Sequence, residues 1–127
     1  MPASALTVNE RLHYMRMKGR ELFRFAVSKM EELCERALEK SGCRADQIKL
    51  VIPHQSNLRI IEAARERMGL PPEKVAVNID RYGNTPAASI PLAFDEAVRT
   101  GRIVPGDLIF MLAFGAGVTW GSILFRY

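Results

Sequence analysis

The clearest folding signal in the sequence is the segment Ile48-Lys49-Leu50-Val51-Ile52-Pro53-His54-Gln55-Ser56-Asn57. Its first six residues form a short, mostly apolar run that ends at a proline, a pattern typical of a buried strand. Ser56 or Asn57 then provides an N-cap for a helix, whose apolar face contains Leu58, Ile61, Ala64 and Met68. A buried strand that leads directly into an amphipathic helix is the repeating unit of an α/β fold.

The segments on either side extend this pattern. Residues 12–18 alternate in polarity and predict a first strand, and residues 21–40 predict a long amphipathic helix that stops at Ser41-Gly42. A strand over 75–79, a helix over 85–99, and strands over 108–113 and 118–125 follow. The helix is apolar enough that we expect burial on most of its sides. The predicted order is βαβαβαββ, one α/β domain with a largely parallel sheet.

Length and composition limit the class of protein. The chain has 127 residues, of which 48% are hydrophobic and 25% charged, the balance of one soluble globular domain. Its longest apolar runs, such as residues 108–114, are far shorter than the ~20 residues of a membrane-spanning helix. Residues 1–10 have neither the basic start nor the apolar stretch of a secretory signal. We therefore expect a cytoplasmic protein without a membrane partner.

Charge and cysteine content limit the partners. The 18 Lys and Arg against 14 Asp and Glu give a net charge of +4, which favours an acidic partner. The basic residues are scattered among acidic ones and are not interleaved with aromatic residues, so nucleic acid is not expected. Cys34 and Cys43 have a spacing that fits neither a zinc knuckle nor a redox pair. We expect no metal and no cofactor.

Three polar or glycine-rich segments follow predicted strands: residues 54–57, 82–85 and 114–117. In open α/β sheets, ligands bind beyond the carboxyl ends of the strands. We therefore expect these three segments to converge on one site.

Each candidate residue in these segments has two interpretations. His54 either presents a ring nitrogen to a ligand or caps a helix, and Asn84 either offers an amide donor or acts as an N-cap. Gly115 and Gly117 either aim a backbone N–H into an oxyanion hole or form an ordinary tight turn. Together these groups suit stabilisation of a carbonyl oxygen or an enolate. The sequence has no recognisable nucleophile turn, phosphate loop or dinucleotide fingerprint, so the chemistry is incomplete.

Three ordered motifs carry a resemblance to a known family, supported by residues 14–27. They are Ile52-Pro53-His54-Gln55-Ser56-Asn57-Leu58-Arg59-Ile60-Ile61, Tyr82-Gly83-Asn84-Thr85-Pro86-Ala87-Ala88-Ser89 and Ala113-Phe114-Gly115-Ala116-Gly117-Val118-Thr119-Trp120-Gly121-Ser122. The chain resembles the C-terminal half of β-ketoacyl-acyl carrier protein synthase III, a condensing enzyme of the thiolase fold. The resemblance implies the second of two similar βαβαβαββ halves, with a five-stranded mixed sheet. It also implies that residues 1–127 form one domain, and that the N-terminal half with the nucleophilic cysteine is absent.

The resemblance implies an acyltransferase that initiates fatty acid synthesis. The reaction is the decarboxylative Claisen condensation of acetyl-CoA with malonyl-acyl carrier protein. His54 and Asn84 match the catalytic pair that holds the malonyl thioester carbonyl while the enolate forms. Gly115 matches the position whose backbone N–H joins the oxyanion hole, and Phe114 matches the wall of the active-site tunnel.

Further positions match substrate and partner contacts of the family. Those near the pantetheine arm are Gly19, Phe23 and Asn57. Those that dock the acidic acyl carrier protein are Arg24, Arg59 and Arg67, which would account for the positive charge of the chain.

The sequence departs from the family at several places. Ser56 stands where Ala is usual, Pro86 where Ser is usual, and Ala116 where Gly is usual. Ala116 would restrict its turn if the backbone there required a positive φ.

Two hypotheses stay open. The chain is either the C-terminal part of a synthase, inactive without the cysteine-bearing half, or a noncatalytic module that binds acyl carrier protein or an acyl-thioester. The second hypothesis includes a homodimer that mimics the two halves of the enzyme. Under the first, the apolar helix over 87–98 packs against the other half and is exposed without it.

Overall fold

The computed structural model describes residues 2–14 and 17–127. The helices are α1 (Ala5–Asn9), α2 (Gly19–Ser41), α3 (Leu58–Arg67), α4 (Ile79–Tyr82) and α5 (Ser89–Arg99). The strands are β1 (Ile48–Pro53), β2 (Leu108–Gly115) and β3 (Thr119–Arg126). Short 3₁₀ turns, Ala45–Gln47 and Pro72–Lys74, precede β1 and follow α3. The predicted helix over 21–40 and strand over 48–53 are confirmed.

The strands form a mixed sheet in the order β1-β2-β3. β1 runs parallel to β2, with Val51 beside Phe110, and β2 pairs antiparallel with β3, with Phe110 opposite Leu124. Neighbouring residues of a strand point to opposite faces, so β1 and β2 bury apolar side chains on both sides. The α/β class is confirmed, but the described residues form three strands and not five.

Helices cover both faces of this sheet. On one face, α2 and α3 pack on Val51 and Phe110 in the larger buried cluster. On the other face, α5 contributes Ala93 and Ala97 to a smaller cluster with Leu50, Ile52 and Ile109. The small alanine side chains allow the helix backbone to approach the sheet closely.

The predicted strand over 75–79 is wrong. Val75 makes a single parallel bridge to Val51, and the Ala76 N–H donates to the Val51 carbonyl (2.8 Å). The N–H groups of Asn78 and Ile79 instead donate to the Gln55 side chain. These two N–H groups are therefore not available to pair with a neighbouring strand, and α4 begins at Ile79.

The predicted strand over 12–18 is not seen in the described part of that segment. Residues 11–13 form a turn and residue 14 a bend, while Met15 and Arg16 lie outside the described residues. Tyr14 and Met17 are both 68% exposed, so their side chains are not packed on a sheet. A strand needs a neighbouring strand to satisfy its backbone, and this segment pairs with none among residues 2–14 and 17–127.

The expectation that the helix over 85–99 is buried on most sides is also wrong. α5 begins only at Ser89, and it buries Ser89, Ala93 and Ala97, while Pro91 is exposed. The cause is that the sheet covers a single side of α5. Within the described residues, no helix is both long enough and apolar enough to cross a lipid bilayer.

Two isoleucines test how the core is distributed. Ile109 in β2 is completely buried, whereas Ile123 in β3 is 56% exposed. We expect Ile109→Ala to lower the free energy of unfolding by about 2–5 kcal/mol, because it removes apolar burial and leaves a cavity. Ile123→Ala should cost less than about 1 kcal/mol, within the range of strand propensity. Urea unfolding of both variants measures the difference; equal losses would contradict this view of the core.

Candidate functional site

His54 lies where β1 ends and is held by two elements. Its backbone N–H donates to the Leu112 carbonyl in β2 (2.8 Å), which extends the sheet pairing by one residue. Its Nδ1 atom lies 2.6 Å from Oγ of Ser89, the first residue of α5. The residue is 7% exposed. His54 does not cap α3, because Asn57 occupies the N-cap and accepts the Arg59 N–H (2.9 Å).

Burial sets the charge of this histidine. Removal from water disfavours the imidazolium ion, so burial lowers the pKa of His54 below its ordinary value. The ring is therefore neutral near pH 7 and carries one N–H. Nε2 has no hydrogen-bond partner among residues 2–14 and 17–127. This nitrogen is the one available to a ligand.

The side chain of Gln55 is fully buried and uses all of its hydrogen-bonding groups on the backbone. Its Nε2 amide donates to the carbonyls of Pro53 (2.9 Å) and Ala76 (3.1 Å). Its Oε1 accepts the N–H groups of Asn78 (2.9 Å) and Ile79 (3.2 Å). One side chain thus joins the end of β1 to the segment that starts α4.

A second set of polar contacts joins α4 to α5. Asn78 Nδ2 donates to Glu96 Oε2 (3.0 Å), and Arg81 forms an ion pair with the same carboxylate. The hydrogen bond from Arg81 is the main cause that lowers the pKa of Glu96, so this carboxyl stays ionised. The loop 83–88 between the two helices is consequently anchored at both ends.

Asn84 sits in this anchored loop. It is exposed, and its Nδ2 atom lies 3.5 Å from the carbonyl oxygen of Ser56, at the long limit of a hydrogen bond. It does not cap α5, whose N-cap residue is Ala88, with no side-chain cap. The amide is therefore held near residues 54–56 and remains free to donate to a ligand.

The third segment also reaches His54. The Phe114 ring meets the His54 ring edge to face, with centroids 6.1 Å apart. Gly115 is the last residue of β2 and pairs with Thr119, so it belongs to the strand ladder and not to a free turn. Arg11 is the non-glycine residue with positive φ among those described, so Ala116 causes no such strain.

The remaining predicted residues lie on α2 and α3. Phe23, in the first turns of α2, packs against the apolar cluster that Phe114 also contacts, and Gly19 is the exposed first residue of that helix. Arg24 and Arg59 are exposed, and neither forms an ion pair within the part of the chain that the structure describes. Arg67 differs from them, because it pairs with Glu31 on α2.

The two cysteines lie away from these groups. Cys34 is buried in the core between α2 and the sheet, where desolvation raises the pKa of its thiol. Cys43 follows α2. Across residues 2–14 and 17–127, no cluster of His, Cys, Asp and Glu side chains is suited to a metal ion.

The structure adds residues that the sequence analysis missed, namely Gln55, Asn78 and Ser89. Nothing in the polarity pattern distinguishes Asn78 or Ser89 from ordinary loop or helix residues. Ser89 is 35 positions from His54, and contacts over such a separation depend on tertiary structure. A polar residue directly after a buried strand, as at Gln55, is the one local signal that was available.

Comparison with solved structures defines the class. The chain matches 3-oxoacyl-[acyl-carrier-protein] synthase III from Aquifex aeolicus VF5 with a TM-score of 0.86 at 57% identity, over 90% of this chain and 37% of that one. It matches the synthase III from Pseudomonas aeruginosa PAO1 with a TM-score of 0.86 at 40% identity, over 99% and 38%. The fold is therefore that of part of a thiolase-like condensing enzyme.

The family follows from the sequence match. Residues 38–127 match the family described as 3-Oxoacyl-[acyl-carrier-protein (ACP)] synthase III C terminal. The chain belongs to this family of C-terminal synthase III domains. A curated relative, beta-ketoacyl-[acyl-carrier-protein] synthase III of Symbiobacterium thermophilum, is 50% identical over 127 residues. The chain spans 38% of that relative's length.

Replacement of Gln55 tests its bridging role. Gln55→Leu leaves several buried backbone groups without hydrogen-bond partners, each at a cost of about 1–3 kcal/mol. We therefore expect this substitution to lower the free energy of unfolding by at least about 3 kcal/mol. Gln47→Leu is the matched control, since the exposed Gln47 accepts the Arg44 N–H (2.8 Å). We expect Gln47→Leu to lower the free energy of unfolding by less than about 1.5 kcal/mol. Urea unfolding compares the two, and similar losses would show that Gln55 has no special role.

The lowered pKa of His54 predicts a pH dependence of stability. The unfolded chain protonates this ring near the ordinary value of 6.5, whereas the folded chain does so only at lower pH. Below about pH 6.5 the unfolded state therefore binds more protons, and stability falls as the pH decreases toward the folded pKa. We expect His54→Gln to reduce the loss of stability between about pH 7.5 and 5.5. The midpoints of urea unfolding at the two pH values measure this loss of stability, with His13→Gln as the control. If His54→Gln lost as much stability as the wild type, burial of His54 would not be the cause.

Proposed function

We propose that this chain supplies the enolate-stabilising part of a β-ketoacyl-[acyl-carrier-protein] synthase III. The observation that carries the proposal is a neutral, buried His54, with Nε2 unpartnered among the described residues, close to the loop that holds the Asn84 amide. Two neutral donors at one edge of a sheet suit an oxygen that becomes negative during reaction.

The proposed chemistry is decarboxylative condensation. The bond between the carboxylate and the α-carbon of a malonyl thioester breaks, carbon dioxide leaves, and the electron pair forms an enolate. His54 Nε2–H and Asn84 Nδ2–H donate hydrogen bonds to the thioester oxygen as this charge develops. The enolate carbon then attacks an acyl group, acetyl in the simplest case, held on a cysteine outside these 127 residues, and the cysteine thiolate leaves.

Other residues would shape the substrate path. Phe114 packs against His54 and forms a wall beside the reacting groups. The backbone N–H of Gly115 is proposed to join the oxyanion hole that the cysteine-bearing part completes. Near the start of α2 and α3, the residues proposed to contact the pantetheine arm are Gly19, Phe23 and Asn57. No step uses a metal or cofactor.

The proposed macromolecular partner is acyl carrier protein, whose acidic surface would meet basic residues near the site. Arg24 and Arg59 are exposed and lack ion pairs within the described residues, so their charges are available. Arg67 is a weaker candidate than these two, because Glu31 neutralises it. Such a partner and acyl-CoA substrates are consistent with a cytoplasmic location, which we include in the proposal.

A second candidate function is noncatalytic binding of acyl carrier protein or an acyl-thioester. The observation in its favour is that neither free cysteine, Cys34 or Cys43, forms a hydrogen bond with His54 within the described residues. Under this alternative the chain binds the same partner, as a homodimer or alone, without condensation.

A chimera distinguishes the two candidates. The chain replaces the aligned C-terminal segment of the Aquifex aeolicus synthase III, a relative that is 57% identical to it. Release of labelled carbon dioxide from malonyl-acyl carrier protein and formation of the β-ketoacyl product are measured. We expect turnover from the chimera and none from the 127-residue chain alone. A folded chimera without turnover would favour the binding module.

Substitutions in this chimera test the two donors. His54→Ala and Asn84→Ala should each lower the rate of carbon dioxide release by about 10² to 10³, because each removes a hydrogen bond to the developing charge. His13→Ala is the matched histidine control, since its partner is Thr7 in the N-terminal segment. Unchanged rates in the His54 and Asn84 variants would rule out the proposed roles.

Charge reversal tests the docking proposal on the chain itself. Arg59→Glu should weaken binding of acyl carrier protein at least about 10-fold at low salt, because it replaces an attractive charge by a repulsive one. Added salt should weaken the wild-type interaction. Arg44→Glu carries the same charge change at a residue already paired with Asp46 after α2. Calorimetry compares them, and equal weakening would mean that net charge alone attracts the partner.

A further inference from the structure

Ser89 is the one residue whose side chain contacts the His54 ring through a hydrogen bond among those described. Its Oγ lies 2.6 Å from Nδ1, and Ser89 is 1% exposed. The same oxygen accepts the backbone N–H of Gln55 at 3.3 Å. The Ser89 backbone is fixed as well, since its N–H donates to the Thr85 carbonyl at 2.7 Å. The hydroxyl therefore sits at a fixed point between the end of β1 and the start of α5.

The number of protons that Ser89 and His54 can donate decides the direction of the hydrogen bond between Oγ and Nδ1. A serine hydroxyl has one proton to donate and two lone pairs to accept with. If Nδ1–H donated to Oγ, that oxygen would accept twice, and its own buried proton would have no acceptor among residues 2–14 and 17–127. If Oγ–H donates to Nδ1, every one of these buried groups is satisfied. Buried polar groups in folded proteins are satisfied in nearly all cases, which selects the second arrangement.

We propose that Ser89 is the positioning residue of His54: its hydroxyl donates to Nδ1, fixes the Nε2–H tautomer, and aims that N–H at the ligand. The inference rests on the proposed function, since the Nε2–H is what would donate to the thioester oxygen. It adds the group that prepares the histidine before substrate binds. Ser89 itself does not touch the reacting atoms in this proposal.

The geometry also explains why the donor stays in place. The Phe114 ring packs against His54, and Ser89 holds its Nδ1 edge, so rotation of the ring would break one contact or both. A donor that is oriented in advance needs little reorganisation when charge develops. The contact between His54 and α5 therefore bears on function as well as stability.

Nitrogen NMR of the 127-residue chain tests the proposal without any turnover. With ¹⁵N-labelled histidine, a nitrogen that lacks a proton resonates far downfield of one that carries it. We expect wild-type His54 to show an unprotonated Nδ1 and a protonated Nε2 at neutral pH, with a coupling from the Ser89 hydroxyl proton to Nδ1. A protonated Nδ1 in the wild type would overturn the proposal.

Variants separate positioning from general structural support. Ser89→Ala should introduce a measurable Nδ1–H population at His54, and Ser89→Thr, which keeps the hydroxyl, should restore the wild-type signals. Ser56→Ala is the matched control, because the Ser56 hydroxyl is buried without a hydrogen-bond partner, and it should leave the His54 signals unchanged. The second histidine, His13, is an internal reference.

Each outcome decides the question. Ser89→Ala spectra identical to the wild type would overturn the proposal. If Ser89→Ala does not fold, the wild-type coupling between the hydroxyl proton and Nδ1 decides alone. Failure of the chimera to release carbon dioxide, together with the expected tautomer, would reject the proposed function and leave the Ser89 contact standing. Normal carbon dioxide release with Nδ1 protonated would reject the Ser89 proposal alone.

Discussion

The rest of the site depends on the need to satisfy buried polar groups where β1 ends. The chain leaves the sheet at His54 and Gln55 without reaching solvent, and both side chains are buried there. A buried amide or imidazole Nδ1 without a partner is costly there, because it loses its hydrogen bonds to water and gains none in return. Gln55 and Ser89 meet this requirement with hydrogen bonds that reach α4 and α5. The position of the loop that bears Asn84 follows from these contacts.

The same requirement explains the electrostatics of the site. His54 is desolvated and therefore neutral, while the Glu96 carboxylate near α4 keeps its charge because Arg81 and Asn78 bind it. A neutral, largely buried donor suits an oxygen whose negative charge develops only during reaction. A charged imidazolium would bind anions in the ground state as well. Under the proposed function, this arrangement would favour the enolate over the starting thioester.

Two surfaces of the described chain expose apolar residues. Much of β3 is exposed, including Trp120 and Ile123, and α5 buries a single side against the sheet. Apolar residues at such positions are typical of surfaces that another polypeptide covers. The sequence pattern of α5 is typical of a helix that packs on several sides. In the described chain, the sheet packs against only one side of it.

Sequence patterns alone were enough to predict the α/β class, the limits of α2, β1 and β2 to within a few residues, and the family resemblance carried by the three motifs. These depend on local periodicity, caps and turn residues, which act over a few positions. The strand predictions failed at two places. At residues 75–79 the Gln55 side chain accepts backbone N–H groups that a strand would use for pairing, and at 12–18 no strand pairs with the described part of the segment. The position of polar segments after predicted strands anticipated that residues 54–57 and 82–85 converge. The contacts themselves, Ser89 with His54 and Asn84 with Ser56, needed the tertiary structure, because they join residues 35 and 28 positions apart. Packing and burial, which no local pattern encodes, decided them.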